Sequence, residues 1–468
     1  MLLLSVDLSV ILCLVCQGFS HVVARMDNQE KCEDRTDMLS IPMAKPAQNR
    51  SRARMTDELR RKILFTIALV LAYRVGSYIP VPGLPFGDLM GRFSSDANVF
   101  SAVSALNMFS GGALSRMSLF ALGTMPYITA QIIVQMLGTV IPAIEKAQKD
   151  GDVGRRQVNA WTRYLTVAIS FVNAVAYVFL ISGWGVNYEA GAIPAPISCF
   201  MIVVTMVVGA LIVMWLGELI TTHGVGNGMS LLIGINILSG IPSALISSWN
   251  GGEGAWVVAA VLLVTCATIP LIVLVERGQR RVPITYSKQI RGNAVMGGGS
   301  TYLPIKVNMA GVIPIIFAST LLALPSQAAV FFPNVAWVQH VSYLLSNGWV
   351  SWVASAILIV FFSYFYTTIV FDADETAENI KRQGGFVPGF RPGKTTANYL
   401  RNIVNNITLP GAVFMAALSV IPSIAYSLCG ASLVNTFGGT STLIMVGVVL
   451  DTAAAIESQM LDYDGFFS

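Results

Sequence analysis

Charge is scarce in this chain. Of 468 residues, 12% are Asp, Glu, Lys or Arg, about half the share of a typical soluble protein. That deficit excludes two or three water-facing domains, which the length alone would suggest. Histidine occurs three times, too seldom for a histidine-built metal centre, and no H-E-x-x-H, G-x-S-x-G or paired-Asp motif is present. The six cysteines, at 13, 16, 32, 199, 266 and 429, follow no spacing that suggests a disulfide framework or zinc site. Cys13 and Cys16 form a C-x-x-C inside an apolar run without βαβ context, which reads as a chance pair. Gly224-Val-Gly226-Asn-Gly228 has neither the spacing nor the preceding strand of a phosphate loop. No catalytic residues, metal ligands or cofactors are therefore expected. A net charge of +4 is too small to argue for nucleic acid.

What the chain holds instead is apolar: 54% of it. A membrane helix needs about 20 mostly apolar residues. Ten stretches qualify, near 63–79, 118–141, 164–183, 197–217, 227–247, 256–275, 307–325, 350–371, 404–424 and 439–461. Pro126, Pro242, Pro314, Pro410 and Pro422 fall inside them, as membrane helices tolerate. The reading is an all-α membrane protein with ten transmembrane helices.

Orientation follows from the connecting loops. Loop 142–163 carries five Lys or Arg, loop 276–306 six and loop 372–403 five. On the alternate side, loop 80–117 has only Arg92 and Arg116, and loops 184–196, 248–255, 326–349 and 425–438 have none. The rich loops belong inside, which places both termini in the cytoplasm. Loop 218–226 carries neither residue, and the parity of the others assigns it. The long basic loops could merely enforce topology or could form a docking surface for a large partner.

Residues 1–24 are apolar, yet no Lys or Arg precedes Arg25, so a signal peptide is not indicated. An extra helix and an over-read start remain open. The expectation is a chain that begins near Met43, where a short basic leader starts.

Few ionisable groups enter the spans. Arg74 and Glu218 lie near span ends, and Asp451 is the deepest acid, facing a partner, a water cavity or an ion. Residues 98–116, NVFSAVSALNMFSGGALSR, are too short and polar to cross a bilayer. Such a re-entrant segment survives only inside protein or a water-filled cavity, so an outward-facing cavity is expected.

Several motifs now carry a resemblance. Asn107-Met-Phe-Ser-Gly-Gly-Ala-Leu-Ser-Arg116, Val307-Asn-Met-Ala-Gly-Val-Ile-Pro314 and Gly385-Phe-Val-Pro-Gly-Phe-Arg-Pro-Gly393 resemble the bacterial SecY family, the channel subunits of protein translocons. Met214-Trp-Leu-Gly-Glu218, Gly224-Val-Gly-Asn-Gly228, Val275-Glu-Arg-Gly-Gln-Arg-Arg281 and Phe437-Gly-Gly-Thr440 do the same. The similarity runs in order from about Leu59 to Leu461 and covers all ten spans.

The resemblance implies two pseudo-symmetric five-helix halves, 59–247 and 248–461, forming a clamshell around a central pore. Residues 1–58 are then an N-terminal extension and 462–468 a cytoplasmic tail. It also implies a plug at about 98–116, including Asn107, Met108, Phe109, Ser110, Gly111, Gly112 and Arg116. It puts a pore ring at Thr124, Ile128, Met229, Ile233, Ile316 and Ile444, and a lateral gate at Gln131 and Asn308. Thr124 places a hydroxyl where the family usually has an aliphatic, so a wetter ring is expected. Motor or ribosome docking falls on Arg280, Arg281, Lys288, Arg291 and Arg391. Asn293 and Ala294 stand where relatives often carry a basic pair.

The implied function is passage of unfolded, signal-bearing polypeptides across the bacterial cytoplasmic membrane, with lateral release of transmembrane segments into lipid. The implied partners are the small membrane subunits SecE and SecG, the SecA motor ATPase, the ribosome, signal peptides and precursors, and membrane lipid. The alternatives are a small-solute secondary transporter with inverted repeats and a membrane scaffold or insertase without a conducting pore.

Overall fold

The structure is a computed structural model. It describes residues 46–82, 110–114, 116–149, 151–183, 195–250, 254–286, 289–291, 294–296, 300–331, 335–346, 348–428 and 438–464. A helix lies at each of the ten apolar stretches: α1 (Pro46–Gly76), α2 (Met125–Val140), α4 (Gly151–Gly183), α5 (Ala195–His223), α6 (Gly228–Asn250), α7 (Gly254–Glu276), α8 (Ile313–Phe331), α10 (Trp349–Val370), α12 (Lys394–Leu428) and α13 (Gly439–Asp464). Short helices α3 (Pro142–Lys149), α9 (Ala336–Ser346) and α11 (Ala373–Arg382) join them. Six helices among the described residues are long and apolar enough to cross a membrane. The expected break at position 58 falls within α1, which crosses it without interruption.

Large apolar side chains face outward on these helices; Phe171, Phe179, Leu263, Leu274 and Ile357 are all more than half exposed. Such surface is stable only in lipid. Polar residues are accommodated by bonding back into their own helix: Thr166 Oγ1 donates to the Thr162 carbonyl, and Ser363 Oγ to Ile359. This satisfies the hydroxyl without water.

Two helix starts differ from the hydropathy boundaries. Pro126 and Pro314 are the second residues of α2 and α8 rather than interruptions within them. Proline is tolerated in a first turn and disfavours helix in the residue before it. Residues 116–124 form turns and 307–312 a bend instead.

In sequence order, α5 packs on α1, α4 and α6, while α12 packs on α7, α10 and α13. The first five of the ten long helices meet the second five along two seams. One joins α6 to α7 and α13; the other joins α2 and α4 to α8.

The all-α expectation needs one correction. Segment 276–306 is a β-hairpin: β1 (Gln279–Tyr286) pairs antiparallel with β4 (Ser300–Lys306), from Gln279↔Lys306 to Thr285↔Ser300. β2 (Gln289–Arg291) and β3 (Ala294–Met296) continue the same register towards the tip. β5 (Gly385–Phe386), from the other basic loop, adds to β1 at Thr285 and Tyr286, giving the order β4-β1-β5. The sheet covers a small core of Val282, Ile284, Ile305, Ala377, Ile380 and Leu400.

α11 is built for this position. Asp372 caps it by accepting from the Asp374 and Glu375 amides, with acids in its first turn and Lys381 and Arg382 in its last. Ala373, Ala377 and Ile380 form its buried stripe, and Gly384 in left-handed conformation follows its end. The first turns of α12 complete the unit, with Ala397, Leu400 and Val404 facing the same core. At 35 residues, α12 is about 50 Å long and joins this unit to the helical body.

Candidate functional site

Four of the six expected ring residues belong to one buried apolar cluster. Ile128 of α2, Ile233 of α6, Ile316 of α8 and Ile444 of α13 are all buried in one apolar cluster, each from a helix bordering a seam between the two sets of five. Thr124, immediately before α2, is fully buried. It occupies the N-cap position, yet its side chain makes no cap hydrogen bond. Met229 is buried as well, but its thioether rests on Gly217 of α5. Four helices thus each place an aliphatic side chain in the same cluster. A dry constriction of this kind resists ions and can yield around an apolar or extended chain without binding it.

The segment preceding α2 lies beside this closure. Asn107, Met108 and Phe109 lie outside the described residues. Ser110 is buried, and Gly111 sits against α6, where an added Cβ would meet Asn236 Oδ1 at 2.8 Å and Ser239 Oγ at 3.0 Å. Gly111 and Gly112 have φ of 63° and 81°, a region open to glycine at little cost. Arg116 is half-buried and donates to the carbonyls of both glycines. Ala113 and Leu114 are buried wall residues, so the C-terminal part of 98–116 is packed framework.

The pair Gln131 and Asn308 is not joined by any hydrogen bond among the described residues. Gln131 is half-buried on α2. Asn308 Nδ2 instead donates to Glu276 Oε1 at 2.7 Å and to the Gly311 carbonyl at 2.8 Å. Asn308 lines a cavity of about 230 Å³ with Glu276, Lys306, Gly311, Tyr366 and Asp451. Asp451, the acid expected to lie deepest, is exposed and opens onto this cavity at the end of α7, while Glu276 beside it is half-buried. Glu276, Lys306 and Tyr366 carry no signal in the sequence as its companions, because the fold alone brings them together. No group of three or more His, Cys, Asp or Glu that could hold a metal occurs among the described residues. Glu218 forms a two-pronged ion pair with Arg163 of α4, at 2.8 and 2.7 Å.

The basic residues divide into separate positions. Arg280 and Arg281 are exposed near the base of the hairpin, with Arg281 stacked over Tyr302 at 5.2 Å. Arg291 lies on a separate strand, β2. Lys288 lies outside the described residues. Arg391 is exposed on a turn anchored by Phe390, which stacks on Tyr399 at 4.0 Å, and by Thr396 Oγ1, which donates to the Arg391 carbonyl.

A family model described as SecY matches residues 118–453. The protein translocase subunit SecY of Streptomyces coelicolor is 41% identical over 444 residues, covering 89% of this chain and 98% of the relative. Among solved structures, one described as the structure of a protein conducting channel aligns with a TM-score of 0.62 at 20% identity, over 92% of this chain and 96% of the other. The canine Sec61 channel, solved in a ribosome-channel complex from the endoplasmic reticulum, aligns with a TM-score of 0.59 at 17% identity, over the same shares. These structural likenesses show the fold.

Proposed function

The chain belongs to the SecY family, and we propose on that premise that it is the protein-conducting channel of a Sec translocon. In this reading it is a multi-pass protein of the bacterial cytoplasmic membrane with both termini inside. Its ten long helices form two five-helix halves, 59–247 and 248–461, that open like a clamshell. Unfolded, signal-bearing polypeptides pass between them, and transmembrane segments leave sideways along the α2–α8 seam.

One observation supports this: α2, α6, α8 and α13, the helices that border the two seams, each contribute an aliphatic side chain to one buried apolar cluster. A closure made of packing alone has no chemistry to perform and no ligand to select. Its natural cargo is a chain that displaces it. The polar groups of Glu276, Lys306 and Asp451 lie apart from the closure, towards the basic loops. Small-solute transport finds no observation in its favour.

The energy source is a partner. The folded unit of β1, β4, β5 and α11 presents Arg280, Arg281 and Arg391, together with Arg291 further out, to the SecA motor ATPase or a translating ribosome. SecE and SecG brace the helical body. The segment at about 98–116 supplies the plug.

Voltage-clamp of the purified complex in a planar bilayer tests the proposal. Conductance should be near zero at rest and appear when a signal-bearing precursor is engaged. Steady conductance without precursor, or saturable flux of a small solute, would count against a protein-conducting role.

A further inference from the structure

The short helix α9 has two apolar faces, where a helix on a water-facing surface has one. Val338 and Ser342, one turn apart, are buried, and Leu345 beside them is half-buried. The helix packs on α8 and α10, and Gln339 Nε2 ties it down by donating to the Ala329 carbonyl of α8 at 2.9 Å. Trp337, Val341 and Leu344 follow one another at spacings of four and three, so they share a second face, and all three are exposed. Gln339, His340 and Tyr343 take the remaining side.

Length and connections fix the level of this second face. With 11 residues, α9 is about 16 Å long, against roughly 30 Å for a hydrocarbon core, so it cannot cross. It joins Phe331, the end of α8, to Trp349, the start of α10, and both of its ends therefore lie at one membrane surface. On α10, Trp349, Val353, Ile357 and Phe361 are all exposed at four-residue spacing, an apolar stripe that faces lipid from the first residue of the helix. Ser346, the last residue of α9, is three positions before the top of that stripe, a reach of about 11 Å at most. The chemistry agrees. From 326 to 349 the sequence has no Asp, Glu, Lys or Arg, so the segment offers a charged partner nothing to pair with. Trp337, Tyr343 and Trp349 are amphipathic rings of the kind that settles at headgroup level.

We infer that α9 is a lipid anchor: it lies along the outer membrane surface with Trp337, Val341 and Leu344 in the acyl boundary, and fastens the end of α8 there through Gln339. Its partner is the outer leaflet itself. The choice of leaflet rests on the orientation proposed above; the contact with lipid does not. Interfacial helices sink their apolar face about 5–10 Å into the boundary between headgroups and acyl chains. Most such helices add a basic face that draws them to anionic lipid. This one has none, so its seating should be the same with and without anionic lipid, and at low and high salt.

Nitroxide collision measurements test this on the complex purified with its own membrane subunits. The six native cysteines are replaced by alanine, and Val341→Cys, Leu344→Cys or His340→Cys is spin-labelled. The complex is reconstituted in vesicles of phosphatidylcholine, with or without phosphatidylglycerol. Labels at 341 and 344 should meet oxygen more often than a water-soluble nickel chelate, and the label at 340 the reverse, in both lipids and at both salt levels. Val341→Asp should turn the label at 344 towards the chelate. A membrane-impermeant thiol reagent should reach His340→Cys from the side opposite the termini. Labels that favour the chelate at all three positions overturn the anchor, since α9 would then stand in water. Labels at 341 and 344 shielded from both reagents also overturn it, since a protein subunit or second copy would then cover the face. Seating that appears only with phosphatidylglycerol overturns the uncharged mode of binding. Thiol labelling from the side of the termini overturns the orientation and the outer leaflet together, and the collision data then judge the lipid contact on their own.

Discussion

Thr124→Val should make the protein more stable, which is unusual for a change at a fully buried residue. Thr124 is 0% exposed, and its hydroxyl has no hydrogen-bond partner among the described residues. Burying a hydroxyl without a partner costs about 1–3 kcal/mol in protein mutational data. Valine keeps the β-branched shape and replaces the hydroxyl by a methyl of nearly the same size. The usual loss on removing an N-cap threonine does not apply, because this side chain caps nothing. The net expectation is a gain of about 1 kcal/mol, the lower end of the range, since the parent relaxes around its defect. Thr124→Ser keeps the hydroxyl and removes a methyl, so it should lose stability by roughly the same amount. Denaturant unfolding of the detergent-purified complex measures both, with resting ion leak as the second readout. A valine variant less stable than the parent, beside a neutral serine variant, would show that the hydroxyl has a partner and refute the reasoning.

Arg391→Glu should insert at parental levels but export poorly. Its guanidinium has no ion pair among the described residues, its backbone is held by Phe390 and Thr396, and four other basic residues in 372–403 keep the topology; parental transport into vesicles would sink the docking role. Leu400→Ala opens a hole in the small core between sheet and α12, where Leu400 is fully buried. The cost of about 2–5 kcal/mol should fall on that unit, so limited proteolysis should cut in 276–306 and 372–403 while the helical body stays resistant. Gly447→Leu would drive a side chain into Val312, just before α8, and overpacking of about 1–3 kcal/mol should loosen the α8–α13 contact and raise resting leak in planar bilayers.

The long helices were legible because apolar runs in a charge-poor chain leave few alternatives, and each of the ten stretches contains one. The sheet was not. β1 buries only Val282 and Ile284, its other residues are charged, polar or proline, and one of its partners is a two-residue strand about a hundred positions later. Nothing local marks such a pairing. The first turns of α12 read as polar loop, yet Ala397, Leu400 and Val404 recur at helical spacing and face the loop core. The two basic loops therefore form one folded unit, although each reads as a separate connector. That union also separates the charges: the hairpin fixes Arg281 near its base and carries Arg291 outward, while β5 brings the Arg391 turn against the middle.

The closure itself was hidden for a different physical reason. In water, an apolar side chain signals a buried face, but in lipid both faces of a helix are apolar. On α2, Ile128 and Ile132 are buried while Ile133 lies at 36% exposure, and no property of isoleucine distinguishes them. Helical spacing puts Ile128 and Ile132 on one face without saying whether that face meets lipid or protein. Only the order of motifs shared with the family promoted Thr124, Ile128, Met229, Ile233, Ile316 and Ile444. The polar and small residues do carry orientation. Thr124, Asn236 and Ser110 are all buried, and glycines 111, 209 and 217 mark places where another element approaches within contact distance. In an apolar background the informative residues are those that lipid would reject.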